Sequence, residues 1–264
     1  MNGHRARKRF GQNFLHDRRV IENIIRQFNP QPAQTVVEIG PGLGALTGPL
    51  LERLDHLHVV ELDRDLVERL DQQYHRRLTI HAQDALKFDF RELVDNGARL
   101  RVIGNLPYNI STPLLFHLLD QADVVSDMMF MLQKEVVQRM LAGPGSKVYG
   151  RLSVMLQSRC EISKVLDVGP GAFTPAPKVE SAVVALTPRD KALDPVCEAP
   201  CFARLVKASF AQRRKTLRNN LKSCLDSEQI STAGIDPSCR AETLSLEDFI
   251  GLAQVFCETE SATE

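Results

Sequence analysis

The sequence predicts an α/β fold in which a parallel sheet, covered by helices on both faces, precedes a small helical domain. Three observations predict it. Short β-branched runs recur between residues 35 and 105, amphipathic stretches separate them, and a glycine turn joins the first run to the stretch that follows.

In chain order, a basic lead-in precedes a helix expected at 18–28. TVVEIG (35–40), HVVEL (58–62), LTIHA (78–82) and RLRVIGN (99–105) read as buried strands, while 63–73 and 111–121 have helical spacing. A further run near 124–132 leads into KEVVQRML, again helical, and the glycine-rich GPGSKVYG (143–150) reads as a mobile loop. CEISKVLDV (160–168) and SAVVALT (181–187) are expected to form a closing hairpin around FTPAPKVE, whose prolines forbid a continuous ladder. Residues 188–200 read as a linker. Beyond it Phe202, Val206, Phe210, Leu217 and Leu221 mark one helical face, with Arg213, Arg214, Lys215 and Arg218 open to water. The expected division is therefore 1–187 for the sheet domain and 188–264 for the helical one.

The 264 residues are 43% hydrophobic and 25% charged, which excludes a disordered or fibrous chain. Basic and acidic residues balance at 33 each, so net charge alone argues against a polyanionic partner. The balance hides an asymmetry: seven Lys/Arg and no acid lie between Arg204 and Lys222, and seven more basic residues fall in the first twenty-six. Local basic runs rather than net charge attract a polyanion. The six cysteines are scattered and have no zinc-type spacing, so they read as reduced thiols. The seven histidines are dispersed and no metal is expected. No apolar run reaches the ~18 residues of a membrane span, and the N-terminal segment lacks a secretory apolar core. A cytoplasmic protein is expected, acting as a monomer away from membranes.

The densest signal is VEIGPGLGA (37–45), a glycine turn between strand and helix, with Glu61 at the end of the next strand. Glycine lets the backbone approach a ligand closely, and a carboxylate at Glu61, twenty-one residues after Gly40, can accept ribose hydroxyls. Gly40-x-Gly42-x-x-Ala45 matches a degenerate dinucleotide fingerprint, so an NAD-dependent dehydrogenase is a serious alternative. Glu38 tilts the balance. A pyrophosphate would meet its like charge at close range, whereas S-adenosylmethionine carries an ammonium and a sulfonium and no phosphate. Asp84, just past the third strand, is placed to accept from the cofactor's adenine amine, although a lone Asp there also serves as a turn cap.

The fourth strand leads directly into Asn105-Leu106-Pro107-Tyr108, beyond the carboxyl end of a strand, where ligands of open α/β sheets bind. An exocyclic adenine amine is a poor nucleophile because its lone pair is delocalised into the ring. The Asn105 side chain and a backbone carbonyl near Leu106 can accept its two N–H bonds and favour a tetrahedral nitrogen. Pro107 fixes the backbone, Tyr108 offers a stacking face, and Phe173 could bracket the other face of the base.

With these motifs assembled, the chain resembles the ribosomal RNA adenine N6,N6-dimethyltransferase family, in particular its bacterial members acting on small-subunit (16S) RNA. The resemblance runs from about residue 9 to about 221 and is carried by KRFGQNFL (8–15), EIGPGLGALT (38–47), VELDRDL (60–66), QDAL (83–86), GNLPYNIST (104–112), FTPAPKVESAVV (173–184) and KASFAQRRKTLRNNL (207–221). It implies a seven-stranded, Rossmann-like class I methyltransferase sheet with a small helical domain. It also implies transfer of methyl groups from S-adenosylmethionine to two adjacent adenosines near the 3′ end of that RNA, with the immature 30S particle as partner. Position by position it puts Asn13 and Leu15 against the cofactor's methionine part, Gly40, Glu61 and Asp84 on other cofactor positions, and Asn105 between cofactor and target base. The runs 204–222 and 5–19 then acquire a phosphate backbone to meet, with Arg213, Arg214, Lys215 and Arg218 foremost, and the target base must be unpaired or flipped. Two alternatives within reach are a large-subunit RNA methyltransferase and an RNA-binding assembly factor without turnover.

Overall fold

The computed structural model describes residues 12–94 and 97–261, which divide into two units: the first holds the chain to Val137 and Ser163–Pro188, the second Gln138–Ile162 and Arg189 onward. The single boundary expected at 187/188 is thus corrected. The chain leaves the first unit within a helix and re-enters it within a strand, and neither crossing carries a Pro/Gly linker that composition would reveal.

The first unit begins with β1 (Phe14–Leu15) and α1 (Arg18–Phe28). Asp17 starts this helix by accepting from the Arg19 and Val20 amides, and Asn29 ends it in the left-handed region at φ 46°. Then come β2 (Val36–Ile39), α2 (Thr47–Leu51), β3 (Leu57–Val60), α3 (Arg64–Tyr74), β4 (Leu78–His81), β5 (Leu100–Asn105), α4 (Ser111–Leu119) and β6 (Val125–Gln133). All four residues of β2 are buried, as expected of a strand covered on both faces. The stretch 111–121 loses its last two residues because Gln121 turns inward, accepting from the Phe90 amide and donating to the Phe88 carbonyl.

After α5 (Lys134–Leu141) and α6 (Arg151–Gln157), the chain returns through β7 (Cys160–Val168), β8 (Phe173–Thr174) and β9 (Ser181–Pro188). The seven-stranded sheet runs β4-β3-β2-β5-β6-β9-β7; β2 to β6 are mutually parallel and β9 is antiparallel to β6. The expected closing strands are therefore neighbours, with β9 inserted between β6 and β7. The proline-containing segment between them contributes β8, which pairs with β1 in a separate ribbon, Leu15 opposite Phe173. Ile24, Phe28, Leu50, Val59, Ile103 and Val183 lie in the unit's apolar core.

The second unit adds α7 (Pro200–Ser209), α8 (Leu217–Asn220), α9 (Ser227–Thr232) and α10 (Leu246–Ser261). The apolar stripe from Phe202 to Leu221 is not one helix. Asn220 donates to the carbonyls of Ser209 and Gln212, holding a non-helical turn between α7 and α8. The "mobile" stretch 143–150 is fastened instead: the Gly145 amide donates to Glu242 O at 2.7 Å, and Tyr149 is buried against Phe210. The expected linker contains a turn at Pro195–Glu198 whose Cys197 is buried. Two of the cysteines are not thiols: Cys201 of α7 and Cys257 of α10, 56 residues apart in sequence, form a disulfide with Cα atoms 5.7 Å apart, because these two helices pack together. Among the described residues no group of three or more His, Cys, Asp or Glu is placed to hold a metal ion, and no helix is long and apolar enough to cross a membrane.

Candidate active site

At the carboxyl ends of β2, β3 and β5 the first unit opens into a cavity of about 310 Å³, the lower end of the range that holds small-molecule ligands. The glycine turn forms its floor. Gly40 and Gly42 have φ of +66° and +58°, which a side chain would strain, and the Gly40 amide donates to Val60 O at 3.0 Å. A Cβ on Gly40 would lie 3.8 Å from both Asn105 O and Pro107 Cδ, so the turn rests directly beneath the NLPY segment.

Glu61 is held rather than loose. Its Oε1 accepts the Leu62 and Asp63 amides, each at 2.9 Å, and its own amide donates to His81 O at 3.1 Å. Burial raises its pKa, opposed by the backbone amides of Asp63, Gly42 and Leu62. Glu38 is 1% exposed, and its carboxyl accepts from Thr47 Oγ1 at 2.6 Å. Burial pushes its pKa up to about 8; the Thr47 bond opposes this and the charge of Glu61 adds to it. Asp84 Oδ1 caps the turn by accepting the Leu86 amide at 3.0 Å, and the residue also lines the cavity.

Asn105, at the end of β5, donates from Nδ2 to Asn13 O at 3.0 Å. That bond fixes the amide and leaves Oδ1 without a hydrogen bond among the described residues. The Leu106 amide donates to Met131 O at 3.2 Å, and the Leu106 carbonyl likewise accepts nothing from the described residues. Both residues line the cavity, and each keeps an acceptor oxygen without a hydrogen bond among the described residues, as an amine donor would require. Tyr108 also lines it, its hydroxyl 2.7 Å from Ser181 Oγ.

The cavity brings together Asn13, Leu15, Gly40, Glu61, Asp84, Asn105, Leu106, Pro107 and Tyr108. Phe173 is not among its lining residues: it is 3% exposed, in the core behind Leu15. Residues 5–11, the start of the N-terminal basic run, lie outside the described residues. In the second unit Arg214 and Lys215 are exposed on the turn after α7, and Arg218 is exposed on α8. Arg213 is 58% exposed but engaged, donating to Lys147 O and pairing with Glu242 at 3.2 Å.

Sequence reasoning missed Leu62, 51% exposed beside Glu61 and lining the cavity, and Gln12, which donates to Asp63 at 3.2 Å. An apolar residue directly after the ribose-type acid was the available signal for the first. Nothing marked the second.

The charge of the lining decides between ligands. Among the described residues it contains three carboxylates, Glu38, Glu61 and Asp84, and no Lys, Arg or His. Glu38, its pKa pushed up to about 8, keeps its proton near neutrality, so a diphosphate would meet the carboxyls of Glu61 and Asp84 with no cation among the described lining residues to offset them, whereas a sulfonium with an ammonium meets the opposite sign. The site therefore fits S-adenosylmethionine and disfavours NAD.

Known proteins agree. Residues 3–258 match the family model described as Ribosomal RNA adenine dimethylase. The chain is 59% identical over 247 residues to the Ribosomal RNA small subunit methyltransferase A of Thiobacillus denitrificans, covering 93% of this chain and 96% of that one. It is 58% identical over 253 residues to the protein of the same name from Aromatoleum aromaticum, covering 96% and 94%. Among solved structures, a dimethyladenosine transferase from Plasmodium falciparum superposes with TM-score 0.77 at 25% identity, over 94% of this chain and 98% of that one. With the fold, the acid-lined cavity and near full-length similarity in accord, the chain belongs to the ribosomal RNA adenine dimethylase family.

Proposed function

We propose that the chain transfers methyl groups from S-adenosylmethionine to N6 of two adjacent adenosines in a hairpin near the 3′ end of small-subunit (16S) ribosomal RNA, giving N6,N6-dimethyladenosine. The observation that carries the reading is a cavity lined, among the described residues, by acidic and no basic side chains, with the Asn105 amide locked by Asn13 O at its rim. The small-subunit relatives, more than half identical along nearly the whole chain, support the substrate.

When bound, S-adenosylmethionine supplies a methyl group already attached to a good leaving group, so the protein's task is positioning. Glu61 would hold the ribose and Asp84 the adenine amine, while Asn13, Leu15 and Gly40 would hold the methionine part and Glu38 would supply a carboxyl to its cationic groups. Asn105 Oδ1 and the Leu106 carbonyl accept the two N–H bonds of the target amine. This draws the nitrogen out of conjugation and stabilises positive charge as it develops there. Pro107 keeps the carbonyl in place and Tyr108 stacks on the base. The assignment of Phe173 to the opposite face of the base rests on its FTPAPKV motif, since its ring is 3% exposed and outside the lining. Arg214, Lys215 and Arg218, with Arg213 through its remaining exposure, contact RNA phosphates. The protein works as a monomer on the immature 30S particle in the cytoplasm and thereby takes part in small-subunit biogenesis.

The test is methyl incorporation into unmodified 30S-type particles, with cofactor affinity measured separately. Asn105→Ala should lower turnover at least ~100-fold, since removing one preorganised hydrogen-bonding group at a reacting centre typically costs that much. Normal turnover in the variant would overturn the assignment.

A further inference from the structure

Tyr108 is held at both ends. Its carbonyl accepts from Ser111 Oγ at 3.1 Å at the start of α4, and its hydroxyl lies 2.7 Å from Ser181 Oγ on β9. Ser181 is 0% exposed and its side chain makes no other hydrogen bond among the described residues. It stands at the start of a strand that continues Ala-Val-Val, all fully buried, where an uncompensated hydroxyl is costly. Phenylalanine would give a base the same π-face without a hydroxyl. A hydroxyl spent on a buried serine, and not offered to substrate, fixes where the ring stands.

The mounting reinforces this. Asn105 pairs with Met131 between β5 and β6, and Gln133, two residues on, pairs with Ser181 between β6 and β9. Beside it, Lys134 N–H donates to Glu180 O at 3.0 Å, and Lys134 Nζ to Glu180 Oε2 at 2.8 Å. The strand β6 therefore ties the amine acceptors on one side to the anchor of the stacking ring on the other.

We propose that Ser181 is a positioning residue for methyl transfer: through the Tyr108 hydroxyl it sets the ring that presents the target adenine to Asn105 and Leu106. The inference rests on the proposed methyl transfer to adenine. Ser181→Ala and Tyr108→Phe each remove the bond and keep the ring, and each should lower kcat about fivefold, the factor matching one ordinary hydrogen bond. The double variant should be no slower than the singles, because both remove the same bond. Cofactor KM should stay at the wild-type value in both variants, and Tm should stay there in Ser181→Ala, whereas Tyr108→Phe leaves the buried Ser181 hydroxyl unpaired and should lower Tm. RNA carrying 2-aminopurine at the target position should be quenched less by either variant than by wild type.

Unchanged kcat in both variants, or losses that multiply to about 25-fold in the double variant, would overturn the role of Ser181. So would a kcat loss matched by a fall in Tm with quenching unaltered, since that is a structural effect. Wild-type protein that transfers no methyl group in the same assay would overturn the proposed function instead, so the two failures are distinguishable.

Discussion

Glu38→Gln should make the ligand-free protein more stable and a poorer binder of its cofactor. The Glu38 carboxyl is 1% exposed, has a pKa of about 8 in the fold against 4.5 unperturbed, and the groups that act on it are Thr47 and Glu61, neither a cation. The folded-state pKa is raised, so between pH 4.5 and 8 the unfolded chain has released this proton while the folded one keeps it. Stability from this group is thus complete below about pH 4.5 and declines as pH rises through 8. At ~1.4 kcal/mol per pH unit, the cost accumulated by pH 8 is about 4 kcal/mol. Glutamine keeps an oxygen to accept from Thr47 and has no proton to lose. Urea unfolding of ligand-free wild type and variant at about pH 5 and about pH 8 isolates the group together with its coupling to Glu61, because titrations not coupled to Glu38 cancel in the difference. The variant should gain little at the lower pH and about 4 kcal/mol at the higher, yet at about pH 8 bind S-adenosylmethionine more weakly by calorimetry, because there the wild-type carboxyl can ionise against the cationic ligand and glutamine cannot. An equal stability difference at both pH values, or tighter cofactor binding by the variant, would refute the reasoning.

Gly104→Ala should be disproportionately harmful for one methyl group. A Cβ there runs into the Ile39 carbonyl oxygen and lies 3.2 Å from Leu106 Cδ2, so β5 must shift away from β2. A destabilisation of about 1–3 kcal/mol in urea unfolding is expected, with a fall in kcat larger than stability explains because Asn105 moves too; unchanged kcat would show that the site tolerates the shift. Reversing Arg214 and Lys215 to Glu should weaken RNA binding and flatten the log–log salt dependence by about one for each phosphate the wild-type side chains neutralise. Cofactor affinity should not change, and unaltered RNA binding would make the turn structural.

Much of the sheet is legible in the sequence because its strands are buried on both faces and so read as unbroken β-branched runs; β2, buried at every position, is the clearest case. The glycine turn and NLPY are legible because their chemistry is local in sequence. What escapes is non-local or lacks contrast. The helix α6 has five consecutive buried residues and so no polar face to give it a period. Phe202 to Leu221 keeps a helical stripe although Asn220, reaching back to Ser209 and Gln212, breaks the helix. Cysteine spacing cannot pair Cys201 with Cys257, which meet only once α7 and α10 pack. Tyr108 and Ser181 are 73 residues apart, and only the order β5-β6-β9 brings them together. Phe173 reads as a stacking residue from its motif, but burial is a property of the fold, and here its ring lies in the core.

The most direct test is mass spectrometry of 16S RNA from unmethylated 30S particles after incubation with the purified protein and methyl-labelled S-adenosylmethionine. Two adjacent N6,N6-dimethyladenosines in one 3′-terminal hairpin, absent when Asn105→Ala protein is used, is the predicted result. Label on any other atom or on no RNA at all, or undiminished labelling by the variant, would contradict it.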